Sequence, residues 1–187
     1  MKSNTLLFGI AISFVLTGCF LQSNVSITAS DEVILDSILI SIGSGPDIVE
    51  ASTTHTLNLL GLRDSFTIQE WEPKEFSSDD FLLLKPKQTI SVEPLSTTGD
   101  KIVITSMGEN QKKLVWTVEQ RVNAFYEKVA KADAESAGKV FLVMQITFPG
   151  PVDMANTSES KGNTYTWRIN KGQMSSDFKI QAIYSTL

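Results

Sequence analysis

The chain has 187 residues, with 16 basic and 21 acidic side chains, a net charge of −5, one histidine and one cysteine. A single thiol excludes an internal disulfide, one histidine and one thiol exclude the usual zinc sites, and the acidic balance argues against nucleic acid, whose binding is dominated by phosphate neutralisation. With 42% hydrophobic residues the chain is too apolar for wholesale disorder, and its length suits one domain with a core of its own.

Lys2 and the α-amine precede an apolar run from Thr5 to Leu16. That run is too short to cross a hydrocarbon core, which takes roughly 20 residues, and has the length of a secretory h-region. Leu16-Thr17-Gly18-Cys19 follows it and resembles the lipobox of bacterial lipoproteins. The resemblance implies cleavage between Gly18 and Cys19, with a diacylglyceryl group on the Cys19 sulfur. Residues 1–18 are then a removed signal, 19–23 a lipidated short tether, and 24–187 a single domain. Loss of Lys2 takes the net charge to −6. Phe20, not Asp, follows Cys19, so nothing signals retention at an inner membrane.

Asn24–Ala29 alternates polar and apolar residues, the period of a half-buried strand, and Asp31-Glu32 turns it into a β-branched run over Val33–Ile42. Gly43-Ser44-Gly45-Pro46 breaks that run; Pro46, with Asp47 and Glu50 behind it, predicts a helix ending at Gly61. The glycine segment lacks the Lys-Ser/Thr end of a phosphate loop. Phe66–Trp71 reads as a strand. Ser77-Ser78-Asp79-Asp80 before Phe81–Leu84 reads as a helix start that Pro86 limits to a turn or two. Thr89–Leu95 and Lys101–Met107 read as a hairpin about Thr97–Asp100, and Lys113–Gln120 extends the meander.

Val118, Val122, Phe125, Val129 and Ala132 form one stripe of an amphipathic helix that Gly138 ends. Val140–Phe148 is the most apolar strand, Pro149-Gly150-Pro151 turns it, and Asn163–Ile169 and Phe178–Tyr184 complete the pattern. The fold expected is α+β: a largely antiparallel sheet packed against about two helices.

Phe148-Pro149-Gly150, Val152, Ala155-Asn156 and Gly162-Asn163-Thr164-Tyr165-Thr166-Trp167 resemble the LppM-type lipoprotein domain, a bacterial family of largely unknown function. The motif covers about 20 residues, the layout most of the mature chain, and the segment at 159–163 is longer than the family's pattern. These residues read as architecture: Gly150 supplies positive φ after Pro149, Gly162-Asn163 is a turn pair, and Trp167 offers its face to the core. Met154 and Asn156 are the ligand candidates if the loop at 149–162 makes a contact.

No enzyme is indicated. His55 reads as a solvated residue, no G-x-S-x-G occurs, and Glu70, Glu72, Glu75, Asp79 and Asp80 match no calcium loop. No cofactor or metal is expected beyond the covalent acyl lipid, palmitate-type chains included, on Cys19. The expectation is an extracytoplasmic domain tethered to the cell membrane, or to the outer membrane in a two-membrane bacterium. It binds a lipid or other hydrophobic ligand in a groove lined by Phe125, Val129, Phe141, Val143 and Met154, a reading that the resemblance supports. The alternative is a protein-interaction module of an envelope complex, with an apolar patch near Phe76, Phe81 and Leu82. Residues 19–100 carry 13 acids against four bases and residues 101–187 eight acids against 11, so a basic face, if the halves form separate surfaces, belongs to the second.

Overall fold

The computed structural model describes residues 21–41, 54, 63–71, 81–92, 101–118, 140–170 and 178–186. Eleven strands are described: β1 Leu21–Ile27, β2 Val33–Ser41, β3 Phe66–Trp71, β4 Phe81–Pro86, β5 Lys101–Ser106, β6 Gln111–Val118, β7 Val140–Thr147, β8 Val152–Ala155, β9 Glu159–Lys161, β10 Thr164–Asn170 and β11 Phe178–Ser185. They form a seven-stranded sheet in the order β3-β4-β2-β1-β7-β10-β9 and a four-stranded sheet in the order β5-β6-β11-β8. Neighbours are antiparallel except β1 and β7, which run parallel at the centre of the larger sheet.

The expected single sheet with helices on one face is therefore corrected. The layer against the core face of the large sheet is a second sheet. Strands β5, β6 and β11 pair with one another rather than extending the first sheet, and their alternation turns Leu114, Trp116, Ile180, Ala182 and Tyr184 inward. These meet Val25, Leu35, Ile38, Ile40, Leu82, Leu84, Met144, Ile146, Trp167 and Ile169 from the large sheet in one buried cluster. Of the helix expected over 46–61, Thr54 alone is described, and it is helical. The amphipathic stripe beyond Val118 lies outside the described residues.

Two further expectations change. Phe81–Leu84 is strand β4, held between β2 and β3, with Leu82 and Leu84 in the core; packing between two partners overrides the helix-start signal of Ser77–Asp80. Of the segment Thr89–Leu95, the described residues 89–92 do not pair with β5. They continue along the edge of β2, where the Leu35 amide donates to the Ile90 carbonyl at 3.0 Å and the Val92 amide to the Val33 carbonyl at 2.6 Å.

Strand β2 shows how the sequence reaches this geometry. Val33, Leu35, Ile38 and Ile40 all face the core, although Leu35 and Ile38, three apart, belong to opposite faces of a regular strand. A β-bulge restores the match: Leu35 opposes Val25, Ser37 opposes Asn24, and Asp36 is the extra residue. The β1–β2 turn is closed by the Thr28 amide donating to the Glu32 carbonyl at 2.9 Å, with Asp31 at φ 68°. Aspartate is one of the few non-glycine residues that accept that conformation. In the β9–β10 hairpin Gly162 takes φ 61° within the expected Gly162-Asn163 turn. Gly150, expected to do the same, does not: Gly162 is the one described glycine with positive φ.

Candidate functional site

The motif residues of the C-terminal half converge on the seam between the sheets. After β7, Phe148-Pro149-Gly150 carries the chain from the large sheet into β8 of the small one, and the Phe148 amide donates to the Asn163 carbonyl at 3.0 Å. The Phe148 ring lies 5.0 Å from the Tyr184 ring and 6.0 Å, edge-on, from Tyr165, whose ring is 6.4 Å from Trp167. Strands from both sheets thus share one aromatic cluster.

Asn156 fastens the two sheets directly. Its Oδ1 accepts the Trp167 indole N–H and the Gln181 amide, each at 2.8 Å. Its Nδ2 donates to the Lys179 carbonyl at 2.6 Å. Trp167 belongs to the large sheet and residues 179 and 181 to the small one. Every polar atom of the Asn156 side chain is engaged inside the protein, which makes this residue a clasp. At the other end, Lys112 Nζ of the small sheet meets Asp31 Oδ1 of the large one at 2.6 Å.

Of the five expected groove residues, Phe141, Val143 and Met154 are among those described. Phe125 and Val129 lie outside the described residues, as do Gly18, Cys19, His55, Phe76 and the acidic residues from Glu72 to Asp80; Glu70 pairs with Leu82 on β3. Phe141 is on β7. Val143, also on β7, is 1% exposed, and Met154 on β8 of the other sheet is 58% exposed. The structure does not bring Val143 and Met154 together. Val143 and Leu39 flank Gln22 in register and stand outside the inter-sheet core, yet both are buried, so the centre of the large sheet is covered on both faces. Leu82 is core, 1% exposed, and contributes nothing to the apolar patch expected beside it.

Among the described residues no three histidine, cysteine or acidic side chains could share a metal ion. The outer face of the large sheet is a satisfied network: Gln22 donates to Asn24, Asn24 to Ser37, Gln145 to Thr166, and Arg168 makes two bonds to Glu159. Those bonds hold the Glu159 carboxyl below its usual range. Partial burial raises the Asp36 carboxyl, against the Ser26 hydroxyl that donates to it. Burial, with the Asp31 charge adding to it, pushes the Tyr184 phenol up to about 12. The Tyr184 Oη and Ser23 Oγ are buried without a hydrogen-bond partner.

Sequence reasoning missed the outer face of the small sheet. Among the described residues the exposed large hydrophobics are Val103, Met107 and Met154, all in that sheet or in the turn after β5. The signal was present as alternation in β5 and β6, but which residues lie side by side depends on pairing between distant strands.

No family model and no curated protein match the chain. Among solved structures it is similar to the folded domain of the LppM protein of Mycobacterium tuberculosis, determined by NMR. That similarity has a TM-score of 0.41 and 8% identity, over 90% of each chain.

Proposed function

We propose that this chain is an extracytoplasmic lipoprotein, tethered by an acylated Cys19, and that its domain binds a hydrophobic ligand rather than catalysing a reaction. What supports the tether is the sequence Leu16-Thr17-Gly18-Cys19 behind an apolar run; how near the domain would stand to it follows from β1. It starts at Leu21, one residue beyond Phe20, and is the central strand of the large sheet, where Leu21 pairs with Ile40 on one side and Leu142 on the other. A residue of extended chain spans at most about 3.6 Å, so an anchor at Cys19 holds the rigid sheet within about 10 Å of the interface. Two acyl chains suffice for stable anchoring, at about 0.8 kcal/mol per buried methylene. No helix among the described residues is long and apolar enough to cross a membrane.

The lipobox, the LppM-like motif and the absence of a nucleophile–base pair in the sequence support a binding role. The test is a native mass spectrum of residues 20–187, exported to the envelope and kept from detergent. Adducts with the mass of a phospholipid or another amphiphile, lost on unfolding, are expected; a clean apo mass would contradict the ligand reading. The second reading, a protein-interaction module, is favoured by the exposure of Val103, Met107 and Met154. Crosslinking in the native membrane to one recurring protein neighbour would select it.

A further inference from the structure

The outer face of the four-stranded sheet differs from every other described surface of the molecule. Read across the strands in register, its rows are Lys101–Thr117–Lys179, then Val103–Val115–Gln181, then Thr105–Lys113–Ile183–Met154. Val103 and Met154 are exposed at 47% and 58%. None of the three lysine ammonium groups has an ion-pair partner among the described residues; the same holds for Lys85, Lys87 and Lys161 on or beside the large sheet, whereas Lys112 and Arg168 are paired. Asp100, Glu119 and Asp177, next to the first row in sequence, lie outside the described residues; the described acids near this sheet, Glu109 in the β5–β6 turn and Asp153 at the β8 bulge, sit beyond the last of these rows. There Asp153 accepts from Gln111 at 2.9 Å.

The inter-sheet contacts orient this face relative to the start of β1. Lys112 meets Asp31 and Tyr184 meets Phe148, so that end of the small sheet lies over the end of β1 far from Leu21. The clasp at Asn156 joins Lys179 and Gln181 to Trp167, which is in register with Met144 and, through it, with Ser23 near the beginning of β1. The row Lys101–Thr117–Lys179 is therefore at the Leu21 end, and the two described acids are at the opposite end.

We infer that this face docks on an anionic lipid surface, its basic row meeting headgroup phosphates and Val103 and Met154 entering the interface. Charge complementarity selects the occupant: among the described residues this is the sheet on which lysines without an ion-pair partner stand with exposed aliphatic side chains, since Lys85, Lys87 and Lys161, also without one, lie on or beside the large sheet, which has no exposed large hydrophobic residue among those described. A lysine near a charged membrane surface contributes about fivefold in affinity, and three about a hundredfold, all screened by salt. The orientation rests on the proposed tether; the affinity of the face does not.

The test uses the full chain carrying Cys19→Ser, so that acylation plays no part. Co-sedimentation is measured with vesicles of phosphatidylcholine and of phosphatidylcholine with an equal amount of phosphatidylglycerol. Binding to the anionic vesicles is expected to exceed binding to the neutral ones, and to fall about a hundredfold in Lys101→Gln/Lys113→Gln/Lys179→Gln. It should not fall in the charge-matched control Lys85→Gln/Lys87→Gln/Lys161→Gln, whose exposed lysines lie at the end away from Leu21. Tryptophan fluorescence checks that both variants fold. Equal binding to the two vesicle types, or equal loss in both variants, overturns the proposal. So does capture by polyglutamate without any response to vesicles, which would assign the face to an acidic protein. Failure of Cys19 to be acylated would leave these differences unchanged, and so refutes the tether alone.

Discussion

Replacing Asn156 by alanine tests how the two sheets are held together. The substitution removes three hydrogen bonds: those from the Trp167 indole and the Gln181 amide at 2.8 Å, and that to the Lys179 carbonyl at 2.6 Å. The groups do not suffer equally. Trp167 is 2% exposed, so its N–H is left buried without a partner, at a cost of about 1–3 kcal/mol. The two backbone groups lie at an exposed edge where water can replace the amide, which reduces their loss to about 0.5 kcal/mol each. The expected destabilisation is thus about 2–4 kcal/mol, read from urea unfolding followed by tryptophan fluorescence. Trp167→Phe deletes the donor along with its need, so the double variant should fall short of the sum of the singles by about 1–2 kcal/mol. A loss under about 0.5 kcal/mol for Asn156→Ala, or strict additivity with Trp167→Phe, would show that Asn156 is not a clasp.

Three further outcomes follow from single residues. Because the Tyr184 phenol is pushed up to about 12 in the folded state, its contribution is intact below about pH 10 and is lost as pH rises toward about 12. Tyr184→Phe should remove that alkaline loss and, by deleting an unpartnered buried hydroxyl, leave stability at neutral pH unchanged or higher by about 1 kcal/mol; melting curves at both pH values check this. Gly162 has open space where a β-carbon would stand but a φ of 61°, so Gly162→Ala should cost about 1–2 kcal/mol in denaturant unfolding through backbone strain alone, and Gly162→Asn less. Leu84→Ala, at a fully buried position between β2 and β3, should cost about 2–5 kcal/mol; a smaller loss would mean that β4 is not a core strand.

The elements whose signals are local were legible in the chain. Phe66–Trp71 occupies the residues that its composition marks, β7 and β11 follow their apolar patterns, and Gly162-Asn163 makes the expected turn. Strand β4 was not legible, because Ser77–Asp80 before an apolar run has the chemistry of a helix cap and only the flanking strands decide otherwise. The second sheet was hidden for a similar reason. Periodicity identifies Lys113–Gln120 and Phe178–Tyr184 as strands, but not that β6 and β11 pair with each other across some 60 residues. Asn156 was visible as part of a motif, but its role was not, since the indole that it binds lies on a different sheet. The lysine face required the register of three strands at once, and no local pattern contains that information.

Acylation of Cys19 is tested most directly by an intact mass. The full chain is expressed in a bacterium, extracted from the membrane fraction and weighed. The expected species is a polypeptide beginning at Cys19 whose excess mass equals a diacylglyceryl group, with or without a further acyl chain, and which Cys19→Ser abolishes. A chain that retains Met1, or one that begins elsewhere with its Cys19 thiol free, would contradict the tether.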